Sequence, residues 1–208
     1  TYFTVENDHP NHYPATLNFS LDVVKLNQNI TFNPEPPLEI AYSENLTISI
    51  NPMSDSNLNV SVNKLDMSNN ILENNTLSIN DLGQVYINAE QEGNQFYNPT
   101  TANRVITVIP ASTELSDFSI PEKFVYEDDF EITPPTTSRA GEIMYISDNP
   151  EVATVSGTTI VIVGLGTCNI TAYVESTNFY TSSSISAEFV VKRRDTDLDS
   201  VPDEFDNC

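Results

Sequence analysis

The chain has 208 residues, and its 30 acidic and 8 basic side chains give a formal net charge of −22 at pH 7. Such a chain lacks the clustered lysines and arginines that bind phosphates, which excludes nucleic acid as a default partner and argues against docking on anionic lipid. No run approaches the roughly 18 apolar residues of a spanning helix, so no membrane insertion is expected in this segment.

An internal repeat organises the sequence. Residues 82–89 align without a gap with residues 165–172, and Phe96-Tyr97 aligns with Phe179-Tyr180 at the same shift of 83. Further upstream the alignment runs at a shift of 84 and equates Tyr42 with Tyr126, Leu46 with Phe130, and Ile48 with Ile132. A period of this length corresponds to a small domain rather than to one turn of a solenoid.

The same shift predicts the domain boundaries. Tyr13 falls at the place of Tyr97, so residues 1–26 are interpreted as the C-terminal strands of a preceding copy. Two complete copies follow at 27–109 and 110–192, and residues 193–208 have a different character. If residue 1 were a true terminus, the strands in 1–26 would need partners from another chain, which would give assembly by strand donation.

Within each copy the apolar residues alternate with a period of two, which predicts half-buried strands. Val85, Ile87 and Ala89 are expected to face the core, as are Cys168 and Ile170 at the matching places. Asn-Pro turn signals and about seven short strands per copy predict an all-β fold in which each copy is a β-sandwich. No helical period extends over ten residues.

The second copy contains an Asn-Pro, Val-Ala-Thr-Val-x-Gly segment within residues 147–157 and a later Gly-x-Gly-Thr within 162–167, together with the stretches 120–126 and 170–172. In these residues it resembles the bacterial immunoglobulin-like repeats found in tandem on surface adhesins. The resemblance implies tandem immunoglobulin-like β-sandwiches in a row. The first copy departs from it, since 69–72 replace the Val-Ala-Thr-Val segment; its membership rests on the internal alignment.

The C-terminal residues 195–208 resemble a thrombospondin type 3 calcium repeat, the start of a series. Independently, their carboxylates have the spacing of an EF-hand-like loop, whose oxygens wrap one Ca²⁺ ion. Ser200 stands where such loops usually carry Gly, and a shorter Asp ends the loop, so we expect reduced rigidity or affinity rather than loss of binding. The resemblance implies that Cys208 pairs with a cysteine of a neighbouring loop. The expected metal ligands are Asp195, Asp197, Asp199, Val201, Asp203 and Asp206.

Other candidate sites have plainer interpretations. Cys168 is expected to be a small buried hydrophobe, and His9 and His12 lack a third metal ligand nearby. The acids Glu127, Asp128 and Asp129 are expected to form a solvated turn rather than a second cation site. Six glycosylation sequons occur, about the number that 24 Asn produce by chance; Asn169 should face water, and the others are Asn18, Asn29, Asn45, Asn59 and Asn74.

The sequence therefore predicts a non-enzymatic structural segment of a long extracellular protein, on a cell or virion surface, with Ca²⁺ as cofactor and neighbouring repeats or copies as partners. The alternative is a module that binds carbohydrate or protein. An aromatic platform of Tyr86, Tyr145 and Tyr173 would serve that role if the three rings faced outward together. A weaker alternative is an accessory region of an enzyme whose catalytic domain lies outside this chain.

Overall fold

A computed structural model describes residues 22–194. Within these residues the chain is all-β, and strands, turns and bends are the only regular structure. Residues 1–21 and 195–208 lie outside the described part, and with them lie most of the predicted N-terminal strands and the entire predicted calcium loop. The described strands form two consecutive groups of nine, here called the first copy and the second copy.

The first copy contains strands β1 to β9. The longest are β8, which contains nearly all of the aligned stretch 82–89, and β9, which follows it. The bounds are β1 Ile30–Phe32, β2 Glu39–Ala41, β3 Thr47–Ser49, β4 Pro52–Ser54, β5 Ser61–Lys64, β6 Ile71–Glu73, β7 Thr76–Ser78, β8 Gly83–Gln91 and β9 Thr100–Ile109.

The second copy contains strands β10 to β18. Again the two longest strands come last. The bounds are β10 Leu115–Ser116, β11 Lys123–Phe124, β12 Phe130–Glu131, β13 Thr136–Thr137, β14 Met144–Ser147, β15 Ala153–Ser156, β16 Thr159–Ile162, β17 Gly166–Val174 and β18 Ser183–Lys192.

Both copies have one strand topology. The first copy has a four-stranded sheet in the order β2-β9-β8-β5, a three-stranded sheet β3-β7-β6 and a pair β1-β4. The second repeats this order strand for strand, as β11-β18-β17-β14, β12-β16-β15 and β10-β13. The first strand of each four-stranded sheet runs parallel to its neighbour. Each copy has nine strands rather than the expected seven, since the first four strands of each copy span only two or three residues and carry little periodicity.

The core of the second copy lies between its two larger sheets. Phe189 from β18 and Ile170 from β17 are fully buried there, as is Ile160 from the three-stranded sheet. The predicted inward faces are confirmed, since Val85, Ile87, Ala89, Cys168 and Ile170 are all buried. Burial of these alternating apolar side chains is the main favourable term in the fold.

The residues predicted to face outward on β8 and β17 are exposed, with one exception. Gln84 and Tyr86 are exposed on β8, as is Asn169 on β17. Asn88 is buried instead, and its side-chain amide donates a hydrogen bond to Glu90 Oε1 at 2.6 Å. The partner satisfies the amide, so a polar side chain is tolerated at this place.

Strand register corrects the upstream part of the sequence alignment. Ile48 pairs with Leu77, and Phe130 pairs with Ile160, which lies 83 residues after Leu77; Ile48 therefore corresponds to Phe130 and not to Ile132. The N–H groups of Tyr42 and Val125 donate to the equivalent carbonyls of Ile109 and Lys192, so Tyr42 corresponds to Val125 rather than Tyr126. Alternating apolar residues look alike after a slip of two, which is why the sequence pattern did not reveal the shift at Ile48. The one-residue shift at Tyr42 arose from matching it to a tyrosine.

The chain divides into two compact units whose limits differ from the two copies. Within the described residues, the first unit comprises the residues up to Leu38, Thr47–Ile79 and Gln84–Ile106. The second comprises Glu39–Leu46, Asn80–Gly83 and the residues from Thr107 onward. Leu26 forms a bridge with Tyr97, the first pairing along the described part of the chain.

Candidate functional site

The predicted calcium ligands, Asp195 to Asp206, lie outside the described residues, as do His9, His12, Asn18 and Cys208. Among residues 22–194, no group of three or more His, Cys, Asp or Glu is placed to hold a metal ion. The calcium site therefore stays a prediction from the sequence.

The acidic turn after β11 uses its carboxylates within the fold. Glu127 forms ion pairs with Lys123 at 3.3 Å and with Arg194 at 3.6 Å. The Asp129 carboxylate accepts a hydrogen bond from the Ile162 N–H at 3.3 Å. Glu127 and Asp129 thus have partners within the protein, and Asp128 and Asp129 are exposed, as expected of a solvated turn.

Cys168 is a buried thiol, as the sequence predicts. It is 3% exposed on β17, among the core residues of the second copy. Burial raises the pKa of the thiol, and the nearby Asp148 adds to this effect, while a hydrogen bond with Ser147 opposes it. A thiol that stays protonated is a poor nucleophile, so this position has a packing role.

The three tyrosines proposed as an aromatic platform do not share an exposed face. Tyr145 is 8% exposed, its ring lies 6.1 Å from that of Phe118 in the second copy, and burial raises its pKa. Tyr173 is half-buried, and Tyr86, on β8, is exposed. The condition for a platform, that the three rings face outward together, is not met, because the side chains of β14 alternate and place the Tyr145 ring toward the core.

Five of the six sequons lie in the described part of the chain, and all five asparagines are exposed. Two of these side chains are already hydrogen bonded: Asn169 Nδ2 donates to Asp148 at 2.8 Å, and Asn29 Nδ2 donates to Asp55 at 3.3 Å. Asn45 and Asn74 occupy turns with positive φ angles of 60° and 49°. The five asparagines are thus all exposed, but they differ in their hydrogen bonds and in their backbone conformation.

A pair of aspartates that the sequence reasoning missed has the same role in both copies. Asp66 follows β5 and accepts a hydrogen bond from the Tyr86 N–H at 2.8 Å, while Asp148 follows β14 and accepts one from the Asn169 N–H at 2.7 Å. Tyr86 and Asn169 are aligned positions on β8 and β17. The sequence signal that could have revealed this pair is the recurrence of an aspartate after 82 residues, close to the repeat of 83.

Asp66 has further partners. Its carboxylate accepts hydrogen bonds from Lys64 Nζ and from the Ser68 N–H, both at 2.9 Å, and from the Ser68 hydroxyl. Burial acts to raise its pKa, but the bonds from Ser68, Lys64 and Tyr86 outweigh it and hold the pKa well below the usual range. Asp66 is thus a structural anion that fastens the turn after β5.

A second feature missed from the sequence is an aromatic cluster within the second unit. The Tyr42 ring stacks on Phe179 with centroids 4.5 Å apart at 28°, and it meets Tyr180 edge-on at 5.9 Å and 87°. The Arg139 guanidinium lies 5.3 Å from the Tyr180 ring centroid. The cluster is built on the Phe-Tyr pair that the repeat places between β17 and β18.

Across the described residues, no helix has the length and apolar character needed to cross a membrane.

No protein-family model matches the chain, and no curated protein matches it by sequence. Solved structures resemble it at low similarity. Sidekick-1 immunoglobulin domains 1–5 give 15% identity and a TM-score of 0.39 over 79% of this chain and 40% of that one. Titin domains z1z2 in complex with telethonin give 13% identity and a TM-score of 0.40 over 80% of this chain and 98% of that one. Drosophila N-cadherin EC1-4 gives 8% identity and a TM-score of 0.32 over 79% of this chain and 51% of that one.

The chain thus spans less than two thirds of the length of two of these three structures. The sequence identities and TM-scores of all three are too low for their functions to be assigned to this chain. The class of the protein is therefore the one its own strand topology defines, an all-β chain of immunoglobulin-like copies.

Proposed function

We propose that this chain is a structural segment of a long extracellular fibre, stalk or adhesin on a cell or virion surface. In this proposal immunoglobulin-like domains at 27–109 and 110–192 act as spacers, and the loop at 193–208 is ordered by Ca²⁺. The partners are neighbouring repeats or other copies of the protein, and the segment has no catalytic role.

The observation that carries the proposal is the repetition of one nine-strand topology. Repetition of a small folded module extends a chain without requiring a new fold at each step. The charged and polar groups described above support the same interpretation, because Asp66, Glu127 and Asp148 are engaged within their own copies. The net charge of −22 keeps such chains soluble and apart.

The calcium part of the proposal rests on the donor chemistry of the sequence. Asp195, Asp197 and Asp199 alternate at the start of the loop, and Asp203 and Asp206 follow at its ninth and twelfth positions. Hard oxygen donors at this spacing suit Ca²⁺, and extracellular sites of this kind bind at about 10⁻⁴–10⁻³ M. Without a cation these carboxylates repel one another.

Small-angle X-ray scattering of the full chain with and without millimolar Ca²⁺, combined with calorimetric titration, tests the proposal. We expect an elongated particle, calcium binding by the unsubstituted chain, and loss of binding in the double variant Asp197→Asn, Asp199→Asn. The matched control is Asp22→Asn, Asp128→Asn, which removes the same charge at two exposed places. A compact particle would contradict the spacer role, and equal binding by both variants would contradict the calcium site.

A further inference from the structure

Basic residues are few in this chain, and three of them are consecutive. The chain has 8 lysines and arginines against 30 acidic residues, and Lys192, Arg193 and Arg194 follow one another at the end of the second copy. All three residues are exposed. Endoproteases of the trypsin type hold a basic side chain of the substrate in a negatively charged pocket, and those selective for paired basic residues bind two such side chains in a row. The run therefore has the residue types that such a protease recognises.

The other five basic residues stand singly in the sequence, and four of them are held in the fold. The Lys64 side chain is 15% exposed, and Arg104 and Lys123 lie within β9 and β11. The Arg139 Nε donates a hydrogen bond to a threonine hydroxyl at 2.9 Å. Lys25 is exposed and lies outside the strands, but no second basic residue adjoins it. A protease that requires paired basic residues thus has one stretch of this chain on which to act.

Strand pairing distinguishes between the two overlapping pairs in this stretch. The backbone on both sides of a scissile bond must be free to enter the protease, so its burial and hydrogen bonds decide where a folded chain is cut. Lys192 is still part of β18: it pairs with Phe124 of β11, and its carbonyl accepts the Val125 N–H at 2.9 Å. Arg193 and Arg194 come after the end of β18. Cleavage after Lys192-Arg193 therefore requires opening of the sheet, whereas both residues of the pair Arg193-Arg194 lie beyond it.

One acidic side chain holds the Arg194 side chain against the second copy. Glu127 forms an ion pair with the Arg194 guanidinium at 3.6 Å and another with Lys123 at 3.3 Å. The Arg194 guanidinium also lies 5.5 Å from the centroid of the Phe124 ring. The Arg194 side chain is nevertheless 62% exposed. Ion pairs this exposed contribute little free energy, so the acidic pocket of a protease can replace Glu127 as the partner of Arg194.

We propose that the peptide bond between Arg194 and Asp195 is a processing site for an endoprotease selective for paired basic residues, and that Glu127 restrains this cleavage. Hydrolysis consumes one water molecule and breaks the C–N bond. The Arg194 carbonyl carbon gains the hydroxyl group and becomes a carboxylate, while the Asp195 nitrogen gains a proton and becomes a new amino terminus. The cut leaves all eighteen described strands on one product. It separates the two immunoglobulin-like copies from the predicted calcium loop, which is a regulation beyond the proposed function.

Digestion of the full native chain with an endoprotease specific for Lys-Arg and Arg-Arg pairs, followed by intact-mass measurement, tests the proposal. We expect a single cut and a product that ends at Arg194. Arg193→Gln removes both overlapping pairs and should abolish the cut. The matched control is Lys25→Gln, which removes the same charge at an exposed place and should be cut at an unchanged rate. An uncut native chain, a product that ends at Arg193, or cleavage of the Arg193→Gln variant would overturn the proposal.

The restraint by Glu127 has its own test. Glu127→Gln removes the ion pair with Arg194, and we expect cleavage about two to five times faster, as suits a partly exposed pair. Asp128→Asn removes the same charge from the neighbouring exposed residue and should leave the rate unchanged. Circular dichroism verifies that each variant is folded, and equal rates in these two variants would overturn the role of Glu127. Calcium binding and particle shape are measured without a protease, so failure of this inference is distinguishable from failure of the proposed function.

Discussion

The Asp148 carboxylate accepts two hydrogen bonds from Asn169, one from its backbone N–H at 2.7 Å and one from its side-chain amide at 2.8 Å. In the first copy, Asp66 binds the N–H of Tyr86 at the aligned place. Each aspartate fastens the turn after an edge strand to a long central strand. These bonds give the two copies a shared electrostatic feature that bears on stability, pH and modification.

The first prediction concerns pH. Hydrogen bonds from the Asn169 side chain and backbone hold the pKa of Asp148 below its ordinary value. A lowered folded-state pKa contributes stability that is complete above the unfolded value and is lost as pH falls through the folded value. We expect Asp148→Asn to lower the Tm at neutral pH and to have no effect on it at a pH below both values. Thermal melts across pH check this, with the exposed Asp128→Asn as control; a pH-independent difference would contradict it.

Asp66→Ala should be more destabilising than Asp148→Ala. Its side chain is 12% exposed and is paired with Lys64, which is 15% exposed. Removing the carboxylate leaves a largely buried ammonium without its counter-ion, a change that costs about 3 kcal/mol. Urea unfolding of the full chain measures the free energy. The exposed Glu73→Ala in the same copy serves as the control, and equal effects of Glu73→Ala and Asp66→Ala would refute the prediction.

Two glycines with positive φ provide a matched pair. Gly93 has a φ of 77°, and a Cβ there would lie 2.5 Å from the Tyr97 carbonyl oxygen, whereas Gly157 has a φ of 62° and nothing within 4 Å. Gly157→Ala should therefore cost only the backbone term, about 1–2 kcal/mol. Gly93→Ala adds a backbone clash and should cost more. Chemical denaturation compares the two, and a smaller effect at Gly93 would contradict the geometry.

Glycan attachment should favour Asn45 and Asn74 over Asn169 when the chain is secreted from a eukaryotic host. Attachment at Asn169 takes place on the same Nδ2 that donates a hydrogen bond to Asp148, so this bond competes with presentation of the amide to the transferase. Asn45 and Asn74 lie in exposed turns with positive φ. Mass spectrometry of glycopeptides measures site occupancy. Asp148→Ala should raise the occupancy at Asn169, and unchanged occupancy in that variant would argue against a role for the hydrogen bond.

Local pattern predicted much of this fold. Val85 and Ile87 alternate with polar residues, as do Cys168 and Ile170, and such alternation identifies the buried face of a strand without any knowledge of its partners. The repeat of 83 residues, set by β8 and β17, was likewise readable. The predicted calcium ligands rest on the sequence alone, because Asp195 to Asp206 lie beyond the described residues.

Register, by contrast, required the tertiary structure. A period of two looks the same after a slip of two, so only strand pairing decided that Ile48 matches Phe130. Burial of Tyr145 likewise depends on which face of β14 meets the core.

The sequence by itself determined the strand content, the inward faces and the repetition, because each follows from residues close together along the chain. Only the tertiary structure decided how aligned residues of the two copies differ in their contacts and exposure. It brought Tyr42 onto Phe179 and left Phe96 exposed, and it joined Asn169 to Asp148. These contacts join residues from 21 to 137 positions apart, and no local pattern encodes which distant strands meet.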